Sequence, residues 1–338
     1  MKTGNVIIIA PIDDDYAYKE LKKLSVFIYE VPKQNNKFNK ISSIIKMNAF
    51  ILKERYNGSF FICHFIVTFL SCYFSLVPLN KKLLIYTEGL GSIFLRYPWA
   101  RYLLKFLLVR NNAVRLFCNK SERDLLGNKD DIITNGIGVD IDKFKNKFRK
   151  NINENYKYKL IYIGRLIKDK GVIDIIDAFK ILKIKNYNVE LTLVGDIYPN
   201  NPSSLSEKEI DSIKSEFGND IRFVSFTNDI KKLYELSDIL LLASYREGFP
   251  VCVMEASSMG LPSVGYIVPG VEDAIIPGTN GLLAEFKNIN ELAYMIESLL
   301  QKDILEKYKT SSVNYANENF DSKLKAQELI DVVLTSYK

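Results

Sequence analysis

Histidine occurs once in the 338 residues, at His64, tryptophan once, at Trp99, and cysteine four times. A single histidine excludes a zinc site of the multi-histidine type and leaves a Ser-His-Asp hydrolase only one base to use. No Gly-x-Ser-x-Gly elbow accompanies it. The cysteines, Cys63, Cys72, Cys118 and Cys252, form no Cys-x-x-Cys pair and no even framework. They read as buried reduced thiols, which favours a cytoplasmic location. A P-loop is absent, and Gly89-Leu90-Gly91 lacks the third glycine of a dinucleotide fingerprint, since position 94 is Phe94. Any nucleotide binding uses another device.

Charge is missing from one long stretch: between Tyr56 and Asn80 no residue is formally charged. Phe60 to Leu79 is about long enough to cross a bilayer. Ser, Thr, His, Cys and Pro78 interrupt it, however, and its beginning, Ser59 to Ile66, is aromatic and β-branched. A strand followed by a buried helix explains the hydrophobicity without a lipid span. The run from Val6 to Ala10, closed by Pro11 and by Asp13-Asp14-Asp15, is too short for a signal-peptide core and reads as a first buried strand.

The length suggests two domains at roughly 150 residues each. Hydrophobic residues at 47% and charged residues at 25% describe an ordinary globule. The net charge of +6 hides a division, because residues 1–150 hold 25 basic and 13 acidic side chains and the remainder 21 and 27. The first half reads as strands near 5–10, 25–30, 59–66 and 82–87, a helix over 39–56 and a long helical stretch from about 93. A polar, lysine-rich linker is expected from Ile141 to Asn155. The second half repeats the alternation, with strands near 158–163, 188–194, 221–226, 238–243 and 263–267 and helices between them. The expected fold is α/β, with two doubly wound parallel sheets and a ligand cleft between them at the carboxyl ends of the strands. A helical tail breaks near Asn319-Phe320-Asp321, where Asp321 is placed to cap a final helix.

Two constellations carry chemistry. Glu247-Gly248-Phe249-Pro250-Val251 with Glu255 follows a strand and opens a helix. Backbone N–H groups at such a helix start favour an anionic or hydroxyl-rich ligand, and the spacing places both carboxylates on roughly one helical face. On spacing alone, a solvated helix with ordinary surface acids accounts for the pattern at least as well. Gly164-Arg165-Leu166-Ile167-Lys168-Asp169-Lys170-Gly171 also lies between a strand and a helix. Arg165 offers a planar fork for phosphate oxygens and Lys170 a mobile point charge, a set that suits a diphosphate; a basic surface loop is the competing reading.

Taken together, these residues resemble glycosyltransferase family 4, retaining sugar-nucleotide-dependent enzymes of the GT-B fold. The matching text runs over about 158–300: Tyr162-Ile163-Gly164-Arg165-Leu166 with Lys170-Gly171, Leu193-Val194-Gly195-Asp196, Ser237-Asp238, the Glu247/Glu255 pair, Pro269-Gly270-Val271-Glu272-Asp273 and Asn280-Gly281-Leu282-Leu283. The resemblance implies an acceptor domain over 1–150, a donor domain over 151–319 and a last helix over about 320–338 packing back on the first domain. It implies that Arg165 and Lys170 hold the donor diphosphate, that Glu255 takes the ribose hydroxyls, and that Glu247 contacts the sugar. Gly248, Phe249, Pro250 and Val251 would line sugar and phosphate. No metal or other cofactor is implied.

The first half departs from the family pattern. Pro11-Ile12-Asp13-Asp14-Asp15 stands where many members carry a Gly-Gly acceptor loop. The triplet allows a metal-binding Asp-x-Asp reading, but capping of the next helix is preferred. Glu88, followed by Gly89, occupies the place where members often carry a histidine. Glu88 is therefore a candidate acceptor-positioning group or weak base, and Gly89 an acceptor-side residue. His64 ends a strand and reads first as a buried structural histidine and second as the edge of the acceptor site.

Between Arg96 and Arg123 seven basic residues face one acid, Glu122, and alternate with Tyr97, Trp99, Tyr102 and Phe106. Arg96, Trp99, Arg101 and Lys105 suit a membrane interface, each basic residue near an anionic leaflet contributing about 1 kcal/mol. A basic helix packed on the core is the alternative, and no recognised module supports nucleic-acid binding. The resemblance extends to bacterial O-antigen and capsule transferases. It implies a protein docked on the inner face of the cytoplasmic membrane that moves a sugar from a UDP donor to an undecaprenyl-diphosphate-linked saccharide. UDP-N-acetylgalactosamine is the first expectation, ahead of UDP-N-acetylglucosamine and UDP-galactose. A soluble or protein acceptor, and a non-catalytic nucleotide-sugar-binding scaffold, are the alternatives.

Overall fold

The computed structural model describes residues 6–11, 15–23, 26–33, 36–90, 97–110, 112–145 and 155–336. The first half opens with β1 (Ile7–Ala10), α1 (Asp15–Lys23), β2 (Phe27–Glu30) and α2 (Lys37–Glu54). It continues through β3 (Phe61–His64), α3 (Ile66–Ser71), α4 (Tyr73–Leu76), β4 (Leu83–Thr87), α5 (Pro98–Val109), β5 (Val114–Phe117), α6 (Lys120–Leu126) and β6 (Ile132–Ile133). β1 and β2 pair in parallel, and β3, β4, β5 and β6 form a second parallel sheet in that order. Asp13 and Asp14 of the acidic triplet, and Arg96, lie outside the described residues.

The uncharged stretch folds as a strand and short helices. Phe65 takes a left-handed φ of 66°, which stops β3 at His64 rather than Ile66 and turns the chain into α3. Among the described residues no helix is long and apolar enough to cross a membrane. Alternation along the strands then sorts the core by face. Leu83, Ile85 and Phe117 pack with Met47 and Ile51 of α2, Phe69 of α3, Leu76 of α4 and Leu104 and Leu108 of α5. Leu84, Tyr86 and Leu116 point to the opposite face.

The long helical stretch expected from about residue 93 is instead α5, β5 and α6. Val114-Arg115-Leu116-Phe117 is too short to show a period, and its charged residue disguises it. Arg115 is accommodated because its Nε donates to Asp131 Oδ2 at 2.9 Å.

The second half contains β7 (Tyr158–Ile163), α7 (Val172–Ile184), β8 (Val189–Val194), α8 (Glu207–Phe217), β9 (Ile221–Val224), α9 (Ile230–Leu236), β10 (Ile239–Leu242) and α10 (Val251–Ser258). After these come β11 (Ser263–Tyr266), α11 (Val271–Ala274), β12 (Gly281–Ala284) and α12 (Ile289–Leu299). All five expected strands are present, and β12 adds a sixth from within the Asn280–Leu283 motif. The parallel sheet has the order β12-β11-β10-β7-β8-β9, so the winding reverses between β7 and β10. Ligands of such sheets bind at that reversal. The expected linker is partly core: Phe144 is buried and meets Tyr234 edge to face at 6.1 Å.

Two last helices, α13 (Lys302–Asn319) and α14 (Ser322–Ser336), return the chain to the first half. Leu329, Val332 and Val333 of α14 cover the face bearing Leu84, Tyr86 and Leu116. Asp321 caps α14 as expected, its Oδ1 accepting the Lys323 N–H at 2.9 Å. At the crossing, Val139 N donates to the Phe320 carbonyl at 2.7 Å and Ser322 N to the Val139 carbonyl at 2.9 Å.

Candidate active site

At the reversal, β7 runs into Gly164 and β10 into Ser244, and a cavity of about 250 Å3 opens between them, lined also by Lys170, Glu247, Phe249 and Pro250. Tyr162 is buried and its hydroxyl donates to the Arg165 carbonyl at 2.7 Å, which holds the turn. Gly171 has a φ of 68°, and a Cβ there would lie 1.9 Å from the Ala243 carbonyl oxygen. Only glycine lets α7 start this close to β10. Lys170 Nζ donates to Glu247 Oε1 at 2.6 Å. Arg165 stands apart from this pair, exposed at the rim with its guanidinium 5.8 Å from the Tyr198 ring centre.

Glu247 and Glu255 do not share a helical face. Pro250 is extended at the cap of α10, so Glu247 lies in the preceding loop and only Glu255 is helical. One shared face would need helical spacing to run back through Gly248-Phe249-Pro250, whereas proline favours the first turn and the residue before it is driven extended. Glu255 does not line the cavity around Glu247; it is half-buried and accepts from the Tyr234 hydroxyl at 2.8 Å. Burial raises its carboxyl above the usual range, against the opposing pull of Tyr234 and Lys143. Val251 and Cys252 line the cavity at the first turn of α10.

Across the cleft, neighbouring strands bring His64 and Glu88 together, His64 Nδ1 meeting Glu88 Oε1. His64 is not a buried structural histidine: its side chain is 49% exposed. A second cavity, of about 390 Å3, begins at this pair and runs between Leu116 and Ile133 on one side and Leu329 and Val332 of α14 on the other. Gly89, with a φ of 108°, touches the donor loop, since a Cβ on Gly248 would lie 3.2 Å from its Cα. The Glu88 and Glu247 loops therefore meet backbone to backbone.

Three cleft residues escaped the sequence reading. Asn119 caps α6, accepting the Glu122 N–H at 2.8 Å, and its Nδ2 donates to the Gly248 carbonyl at 2.7 Å. Glu122 Oε1 accepts the Leu90 N–H at 2.8 Å. Arg246 lies close enough to Glu122 to favour its ionised form. The first two had a signal, an Asn followed three positions later by Glu, which marks a helix start.

On α5, Ala100, Leu104 and Leu108 face the core, while Trp99, 67% exposed, Tyr102, Leu103 and Phe106 face outward. Arg101 and Lys105 flank this stripe. The helix is thus apolar nearly all round, which a helix facing only water is not.

The sequence profile of the family "Glycosyl transferases group 1" matches residues 142–318, over half of the chain and all of the donor-side geometry described above. The chain belongs to this family. Among curated relatives, it is 30% identical over 241 residues to the N,N'-diacetylbacillosaminyl-diphospho-undecaprenol alpha-1,3-N-acetylgalactosaminyltransferase of Campylobacter jejuni, covering 64% of this chain and 61% of that protein. It is 28% identical over 167 residues to the capsular polysaccharide biosynthesis glycosyltransferase CapM of Staphylococcus aureus, covering 49% and 42%. The matches span less than two thirds of each relative. The crystal structure of Anabaena Alr3699/HepE in complex with UDP superposes with a TM-score of 0.76 at 17% identity, over 98% of this chain and 91% of that one. The fold of this group 1 glycosyltransferase is accordingly GT-B, two Rossmann-like α/β domains with parallel sheets.

Proposed function

We propose that this chain transfers a sugar, with retention of configuration, from a UDP donor to a lipid-diphosphate-linked saccharide. UDP-N-acetylgalactosamine leads as donor, as the name of the C. jejuni relative supports, with UDP-N-acetylglucosamine and UDP-galactose next. The observation that carries the reading is the Lys170–Glu247 pair at the strand reversal, with the Glu88 loop pressed against it from the other half. Lys170 and, from the rim, Arg165 take the diphosphate, assisted by the first N–H groups of α10. Glu247 accepts from a hydroxyl of the donor sugar, and Glu255 from the ribose.

In the transfer, the acceptor oxygen bonds to the anomeric carbon on the face that the diphosphate leaves. The bond from that carbon to the diphosphate oxygen breaks, and the acceptor proton passes to the departing phosphate. The chain's main contribution is charge stabilisation of the leaving diphosphate. Glu88, oriented by His64, positions the acceptor hydroxyl beside Gly89. A panel of UDP-sugars against a short-chain polyprenyl-diphosphate saccharide, with linkage analysis of the product, tests the reading. Transfer from UDP-N-acetylgalactosamine with an α linkage is expected; donor binding without transfer from any member leaves a nucleotide-sugar-binding scaffold instead.

Docking on an anionic membrane face belongs to the same proposal. A second outward stripe lies on α2, whose buried Met47 and Ile51 join the same core cluster as Leu104 and Leu108 of α5 and whose Phe38, Ile41, Ile45 and Leu52 are exposed on the opposite side. Lys37, Lys40, Lys46 and Lys53 accompany them. Exposed apolar area of this extent, rimmed by one sign of charge, fits an interfacial surface.

A further inference from the structure

The first turn of α6 carries two polar side chains to which the chemistry above assigns no task. Asn119 is buried, and besides capping its helix it donates to the Gly248 carbonyl at 2.7 Å. Glu122 is 4% exposed. Its Oε1 accepts the Leu90 N–H at 2.8 Å, the Gly89 amide is close enough to favour the same carboxylate's charge, and its Oε2 has no hydrogen-bond partner among the described residues. One helical turn thus grips both loops that meet in the cleft, Asn119 the one carrying Glu247 and Glu122 the one carrying Glu88.

The choice of a carboxylate here needs a reason. A buried carboxylate with one oxygen unsatisfied is expensive, and glutamine would accept the same N–H bond without charge. Burial pushes the Glu122 carboxyl up to about 6, against the opposing pull of the Leu90 and Gly89 amides, Arg246 and Asn119. Cys118, just after β5, is the titratable group that faces both this carboxylate and Glu88. What the charge adds is a stronger hold, since N–H bonds to an ionised acceptor are about twice as strong as neutral ones. The held segment includes Gly89, whose left-handed backbone leaves Glu88 free to swing unless the peptides after it are pinned.

We propose that Asn119 and Glu122 are positioning residues that hold Gly89 against Gly248 and so fix where the Glu88 carboxylate stands relative to the sugar beside Glu247. The proposal rests on the assignment of those two loops to the reacting centre. It is tested with Glu122→Gln and Asn119→Ser, measured as UDP release with acceptor present, as UDP affinity by calorimetry, and as Tm against pH. Serine keeps the helix cap but is too short to reach Gly248, which separates capping from positioning.

Both variants are expected to lose at least tenfold in kcat with UDP affinity within twofold of the parent. Glu122→Gln is expected to be as stable as the parent or more so above pH 6. Folding raises the carboxyl's affinity for its proton, so ionisation destabilises the parent progressively from about pH 4.5 to about 6, and the Tm advantage of the variant fades as pH falls through that range. A kcat that drops only in step with Tm, or does not drop, overturns the proposal. Glu88→Gln is the control. If it slows turnover while Glu122→Gln does not, the positioning role fails and the site assignment stands. If it leaves turnover intact, the assignment fails and takes the positioning role with it.

Discussion

Lys170 and Glu247 suit a site that must be stable empty and receptive when filled. Their 2.6 Å pair satisfies both groups inside the cavity, and under the proposed function an arriving diphosphate would compete for the lysine and release the carboxylate to the sugar. Lys170→Met is expected to weaken UDP binding roughly 10- to 100-fold, the equivalent of about 1.5–3 kcal/mol for a charged hydrogen bond. Calorimetry with UDP checks this, and unchanged affinity removes Lys170 from the donor site. Glu247→Gln should behave in the opposite sense, leaving UDP affinity equal or tighter while turnover falls. Because Lys170, Arg165 and the start of α10 are proposed to meet the diphosphate charge, transfer is expected to persist in EDTA; loss restored by Mg2+ would contradict that. At this scale the sequence was informative for single residues and weak for pairs. Lys170 and Glu247 were legible as chemistry, but their contact was not, and His64 read as buried because nothing local announced its partner at Glu88.

The element that best separates packing from function is α5. Leu104 is buried against the β3–β6 sheet, so Leu104→Ala is expected to destabilise the chain by about 2–5 kcal/mol. Trp99 and Phe106 face outward, so Trp99→Ser with Phe106→Ser should leave Tm in solution nearly unchanged and cut co-sedimentation with anionic phosphatidylglycerol vesicles at low salt. Vesicle binding equal to the parent would sink the docking role of α5. Long, strongly patterned elements such as β7, α7 and β8 were readable because period and length agree. β5 was not, since four residues with Arg115 inside show no period, and Glu247 and Glu255 were put on one face because the effect of Pro250 on the residues before it was not applied. The uncharged stretch Tyr56–Asn80 was legible as a strand followed by helix, though not the turn at Phe65 or the division into short helices.

For the whole molecule, two parallel α/β halves with a cleft between them followed from the order of strands and helices, but the contacts across the cleft did not. Asn119 and Gly248 are 129 positions apart, and only the folded chain shows that they touch. The return of α14 to the first half, by contrast, was expected from the family resemblance, and Leu329, Val332 and Val333 pack there. Deleting residues from Ser322 onward should therefore lower the stability of the first half, exposing Leu84, Tyr86 and Leu116, more than that of the second. Limited proteolysis would show it as preferential cleavage before residue 140.

The double hydrogen bond between Val139 and the Phe320–Ser322 segment ties the two halves together backbone to backbone. The larger cavity is bounded by Ile137 on one strand of this crossing and Ser322 on the other. An acceptor taken up there, under the proposed function, would touch the very segments that tie the halves together, so its shape would be read by the seam itself.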